Sequence, residues 1–171
     1  MIEMRVAGIA LEAVTRSPIV ILRDPTGRRE LPIFIGQDQA RAIIGALENQ
    51  PPPRPLTHDL FISFMDEWDV ILERVIIHSL QDNTFYAILS FRQGELKKDL
   101  DARPSDAIAI ALRTNAPIWV MEEVIADASI PVNQDEDEAE QKAFREFIAN
   151  LRPDDFTRYG KPSHNNEGSI E

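Results

Sequence analysis

Cysteine is absent from the chain, which excludes a disulfide framework, a thiolate metal site and a cysteine nucleophile. Any metal must be held by oxygen or imidazole. Long apolar runs are missing too: none approaches the ~18 residues of a membrane span. Met1-Ile2-Glu3-Met4-Arg5 leads into strand-like sequence instead of a signal peptide, so a cytoplasmic protein with no membrane partner is expected. Positive charge is scarce, with 18 Lys and Arg against 29 Asp and Glu and a net charge of -11. This opposes passive attraction to DNA or RNA, whose binding draws much of its free energy from basic side chains displacing counterions. The opposition is softened because many acids fall late, at Asp135-Glu136-Asp137-Glu138-Ala139-Glu140, and because a divalent cation can offset local repulsion. There is no glycine-rich phosphate loop, nucleophile elbow or His-Glu-x-x-His pattern, which argues against nucleotide triphosphatase, serine hydrolase and zincin chemistry. Basic and aromatic residues are not interleaved as in a single-strand binding platform.

What is present suits one globular unit with a modest appendage, since 171 residues can bury a sizeable core. Residues 4 to 14 read as a strand. Ile19 to Leu22 and Leu31 to Ile35 flank Asp24-Pro25-Thr26-Gly27, which has the residues a type I turn favours, so a hairpin is predicted. Pro32 lacks a donor and should lie at a sheet edge or a bulge. From Gln37 the period changes, and Ala40, Ile43, Ile44 and Leu47 form the stripe of a helix that stops before Pro51-Pro52-Pro53. Thr57 is the expected N-cap of a second helix, with Leu60, Phe61, Phe64, Met65 and Trp68 on one broad apolar face, and both helices should cover one sheet face.

Val70 to Leu80, Thr84 to Arg92 and Glu95 to Asp101 read as an antiparallel meander. Pro104 opens a helix that Asn115 and Pro117 end, and Ile118-Trp119-Val120 should be a strand parallel to a neighbour. Residues 133–156 are expected to form an acidic amphipathic helix, with Phe144, Phe147, Ile148 and Leu151 docking on something, and 157–171 a disordered tail. The fold class is α+β: a mixed, largely antiparallel sheet flanked by helices, plus a C-terminal helix.

The most distinctive stretch is Asp99-Leu100-Asp101-Ala102-Arg103-Pro104-Ser105-Asp106-Ala107, where a strand gives way to a helix. Free amide donors and the positive end of the helix dipole suit an anion or carboxylates there. Asp101 and Asp106 could hold Mg²⁺ or Mn²⁺, Arg103 a phosphate, and Ser105 could contact substrate. The structural alternative has Ser105 and Asp106 satisfying first-turn amides and Asp101 pairing with Arg103 or Arg113. Thr57-His58-Asp59 has the same helix-start character: His58 could act as general base or ligand, Asp59 as its carboxylate partner and a third metal ligand, and Thr57 as a substrate contact. Its alternative is a Thr cap followed by favourable dipole charges. Glu122-Glu123 could add carboxylates to the same rim or form an acidic first helical turn. His78 reads as a packed or surface residue, and His164 falls in the tail.

Leu31-Pro32-Ile33-Phe34-Ile35-Gly36 with Ala40-Arg41-Ala42-Ile43, Arg54-Pro55-Leu56-Thr57-His58-Asp59-Leu60, Asp101-Ala102-Arg103-Pro104-Ser105-Asp106-Ala107-Ile108-Ala109 and Ala116-Pro117-Ile118 recur in one order. With these motifs the chain, over about residues 4 to 130, resembles the bifunctional nuclease domain family of bacteria and plants. The resemblance implies an α+β domain over 1–132, self-association as a homodimer or higher oligomer, and nuclease activity on DNA and RNA. Where relatives often have Glu before the helix alanine, this chain has Gln39, which cannot be a charged ligand or base. Two functions follow as expectations. One is metal-assisted phosphodiester hydrolysis by His58, Asp59, Asp101, Arg103 and Asp106. The other is a non-catalytic, self-associating module that binds a small anion or a protein partner in regulation.

Overall fold

The computed structural model describes residues 1–132. The helix expected over 133–156 and the tail expected over 157–171 lie outside the described residues. The described chain runs β1 (Ile2–Leu11), β2 (Pro18–Arg23), β3 (Arg29–Phe34), α1 (Gln37–Leu47), α2 (Thr57–Glu67), β4 (Ile71–Gln81), β5 (Thr84–Gln93), β6 (Leu96–Ala102), α3 (Pro104–Thr114), β7 (Ile118–Val120), α4 (Glu122–Ala128) and β8 (Ile130–Pro131). The strands form one sheet in the order β6-β5-β4-β7-β1-β2-β3-β8. Every pairing is antiparallel except β4 with β7, so the α+β class and the late parallel strand match the sequence patterning.

Local chemistry accounts for the turns. Asp24 O accepts from Gly27 N at 3.0 Å, closing the β2–β3 turn, and Gly27 takes φ +68. The buried Asp24 carboxylate accepts from Thr26 Oγ1 at 2.8 Å and from the Arg28 and Arg29 amides at 2.9 and 3.3 Å. In the β4–β5 hairpin Gln81 opposes Thr84, and Asp82 and Asn83 both take positive φ, +48 and +59. That is the twist-matched two-residue hairpin loop, and short acid and amide side chains tolerate it. β8 pairs only with Arg29 and Glu30, so at Pro32 strand β3 has one neighbour, where a residue without a donor is accommodated.

Helix α3 buries Pro104, Ser105 and Ala107 to Ala111 against β4 and β5. Its alanines leave little side chain between backbone and sheet. α1 and α2 both pack on α3, with α1 also reaching β1 and β2. Two expectations about these helices are corrected. In α1, Leu47 is exposed and Ala42 takes its place in the core. In α2 the apolar residues divide between two sides: Met65 is buried and Phe61 partly so, while Leu60, Phe64 and Trp68 face outward. Among the described residues α2 packs chiefly on α3, with Phe61 edge-on to Phe91 of β5, and that contact covers one side of the helix. No helix among the described residues is long and apolar enough to cross a membrane.

Candidate functional site

Strand β6 delivers the chain to Arg103, whose backbone is held extended at φ -68, ψ 141 because Pro104 follows. Pro104 opens α3, and Arg103 O accepts from the Asp106 and Ala107 amides at 3.1 and 3.0 Å. One turn in, Asp106 points back: its Oδ2 accepts from Arg103 Nε at 2.7 Å. Its other oxygen, Oδ1, lies 3.2 Å from Nε2 of His58, which belongs to the first turn of α2 and is 48 residues away in sequence. A carboxylate only accepts, so Nε2 carries the hydrogen and Nδ1 holds the lone pair of the neutral ring. The side chains grade from sheltered to open, His58 15% exposed, Asp106 27% and Arg103 69%. The Asp106 hydrogen bond, and then its charge, raise the Arg103 guanidinium above its ordinary value, so the cation is permanent. Among the described residues Asp106 engages this guanidinium through Nε, and its terminal nitrogens could meet a ligand oxygen.

The neighbouring Asp59 is built differently. Its Oδ1 accepts from Arg113 Nε at 2.7 Å and its Oδ2 from Leu56 N at 2.9 Å. Leu56, not Thr57, is therefore the N-cap of α2; the helix starts one residue earlier than expected because Asp59 reaches back to the Leu56 amide. Burial pushes the Asp59 carboxyl up, but the hydrogen bonds from Arg113 and Leu56, with the charges of Arg113 and His58, outweigh it and hold the value below the usual 3.8. A depressed carboxyl stabilises the fold fully above its ordinary value and loses that contribution as pH falls through the lowered one. The tie between α2 and α3 should therefore be complete above the ordinary carboxylate value of 3.8 and weaken as pH falls below it. Thermal melts from pH 6 to 2 should show a steeper acid loss in the wild type than in Asp59→Asn, and parallel curves would contradict the assignment.

Asp101 is exposed on β6 opposite Ile88 and bonds to neither Arg103 nor Arg113, so its structural alternative is corrected. Asp106 caps no amide by its side chain, because both oxygens turn to His58 and Arg103. Ser105 is buried and offers a ligand little surface, whereas Thr57 is exposed beside His58. Glu122 and Glu123 form the acidic first turn of α4. His78 lies on β4 with its ring 6.4 Å from that of Tyr86. Gln39 folds its side-chain oxygen over Gly36, where an added Cβ would come within 2.3 Å, so it packs at the start of α1. Among the described residues no three His, Asp or Glu side chains are grouped so as to hold a metal ion. With both Asp59 oxygens taken by Arg113 and Leu56, and without such a group, Asp59, Asp101 and Asp106 do not fit a resident divalent metal.

Arg113 is the residue sequence reasoning placed with the wrong partner. It follows Asp106 by seven positions, two helical turns along the same face, and that spacing was the available signal. An open cleft of about 610 Å³ lies beside the Asp59–Arg113 pair, lined by Ala46, Asn49, Gln50, Pro52 and Leu112 among others, and by none of His58, Arg103 and Asp106.

The architecture is that of an α+β domain in which two helix starts bring a His–Asp–Arg cluster to the rim of a mixed sheet. The chain belongs to the bifunctional nuclease domain family, whose sequence model matches residues 20–133. It is also similar to two proteins of Mycobacterium tuberculosis, one from each of two strains and both described as uncharacterised. Each is 46% identical, over 90% of this chain and 97% of theirs.

Proposed function

We propose that the chain is a cytoplasmic nuclease that hydrolyses phosphodiester bonds of DNA or RNA at the His58–Asp106–Arg103 cluster. The observation that carries this reading is the contact of His58 with an Asp106 that also holds Arg103. In this mechanism Arg103 binds a phosphate oxygen through its terminal nitrogens and meets the negative charge that grows there during attack. His58 Nδ1 takes a proton from the attacking water, and the imidazolium so formed is stabilised by Asp106, which also fixes the ring. Water's oxygen bonds to phosphorus, the ester oxygen departs, and a proton from solvent neutralises it. Thr57, exposed at the same helix start, is available to the sugar-phosphate chain. The family to which the chain belongs is named for nuclease activity, which supports the same reading. No step is routed through a metal.

The test concerns Arg103. Arg103→Ala should raise KM for an oligonucleotide roughly tenfold or more and flatten the salt dependence of binding by about one counterion. Arg103→Lys should recover part of the loss, because a point charge replaces the guanidinium fork. Unchanged KM and salt slope in Arg103→Ala would remove the phosphate clamp. The net charge of -11 favours a second reading, a non-catalytic module that holds a small anion at Arg103. It predicts anion binding that Arg103→Ala abolishes, with no turnover of nucleic acid by the wild type.

A further inference from the structure

The cleft beside the Asp59–Arg113 pair forms where the last turn of α1, the connector that follows it and the last turn of α3 meet. Its volume, about 610 Å³, lies within the range of small-molecule sites. Pro51, Pro52, Pro55 and Leu112 give it apolar walls, and the fixed φ of three prolines stiffens the connector. The rest of its chemistry is largely amide. Asn49, Gln50 and Asn115 line it, and among the described residues none of their side chains makes a hydrogen bond. Asn49 and Asn115 follow the two helices at φ +52 and +55, a backbone that asparagine tolerates; this explains the residue type and leaves the amides open. The charged side chains of the lining, Asp59 and Arg113, neutralise each other at 2.7 Å.

Apolar walls, open amides and balanced charge suit a flat, uncharged ring with donors and acceptors along its edge. We infer that the cleft seats a nucleobase of the strand whose phosphate Arg103 holds, an inference that rests on the reading of the chain as a nuclease. Asn and Gln side chains pair with base edges through one donor and one acceptor, and a base drawn out of its stack is held between apolar side chains. The phosphate is left to the cation at Arg103. Distance agrees with this division. Arg113 stands seven residues after Asp106, about 10 Å along α3 at ~1.5 Å per residue. A strand that advances ~3.4 Å per stacked nucleotide, and more when unstacked, spans that within about three nucleotides. His58 and Asp59, consecutive at the start of α2, join the two places: one meets Asp106 and the other lines the cleft. The net charge of -11 gives the seat a purpose, because such a chain gains little from counterion release and base contacts have to supply more of the binding.

The experiment joins an NMR titration to a cleavage assay, both on the full chain. The side-chain amide resonances of Asn49, Gln50 and Asn115 should shift on titration with nucleoside monophosphates and stay in place with inorganic phosphate. Asn49→Gly with Asn115→Gly removes two amides and keeps residues suited to positive φ, so the melting curve should hold. Nucleotide affinity should fall about tenfold, the loss of one or two neutral hydrogen bonds. With oligonucleotides that carry one abasic position, the wild type should lose about tenfold in kcat/KM when that position falls within about three nucleotides of the cut, the worth of one seated base. The double variant should cut abasic and intact strands alike. Resonances that ignore nucleotides, or a wild type indifferent to abasic positions, overturn the inference and leave the nuclease reading standing. Nucleotide binding at these amides by a wild type that cuts nothing overturns the nuclease reading and supports the base seat alone.

Discussion

His58→Gln is expected to lower phosphodiester cleavage by about a hundred- to ten-thousand-fold, the range that a positioned general base supplies. Glutamine keeps a polar group of similar reach that can still donate to Asp106, so the Arg103–Asp106 bond at 2.7 Å should persist. What disappears is the ring nitrogen that accepts the water's proton. His58 is 15% exposed and Asp106 27%, and glutamine fills a similar volume, so the fold should tolerate the change. Single-turnover cleavage of labelled single-stranded DNA and RNA, read beside a melting curve, separates loss of chemistry from loss of structure. A variant that cuts at the wild-type rate would show that His58 only packs α2 against α3.

Arg113→Leu should have the largest effect on stability. The side chain is 12% exposed and joins three helices. Nε donates to Asp59 of α2 at 2.7 Å, while Nη1 donates to Ala42 O of α1 at 3.0 Å and to Ala109 O within α3 at 2.8 Å. Leucine leaves the Asp59 carboxylate half-buried without its cation and the Ala42 carbonyl without its donor. Removing one partner of such a pair costs about 3 kcal/mol or more, because the remaining charge stays desolvated. For a domain of this size the melting temperature should fall by on the order of 10 °C. Because the penalty comes from the stranded carboxylate, Arg113→Leu with Asp59→Leu should be less destabilised than the sum of the single changes. Additive losses would mean that the pair is not coupled.

The strands and turns were legible in the sequence because their causes are local. Asp24 and Gly27 close the first hairpin and Asp82-Asn83 the second, and period-two runs fix the strands between them. The start of α3 was legible for the same reason, since Pro104 sets its first turn. The two faces of α2 were not: Leu60, Phe61, Phe64, Met65 and Trp68 make a stripe so broad that periodicity cannot tell the packed side from the open one. Nor could sequence assign partners among the polar residues. Shared helix-start character grouped His58 and Asp59 with Arg103 and Asp106, but which acid meets which base depends on how α2 crosses α3. The crossing gives Asp106 to His58 and Asp59 to Arg113.

The most direct measurement is nucleic-acid cleavage by highly purified wild type beside Asp106→Asn. Asparagine can still accept from His58 Nε2, but it carries no charge to stabilise the imidazolium or to hold Arg103. The wild type should cut single-stranded DNA or RNA with activity that co-elutes with the protein. The variant should melt like the wild type and cut at least tenfold more slowly. Intact substrate with the wild type, or equal rates for both proteins, would contradict an active centre built on His58, Asp106 and Arg103.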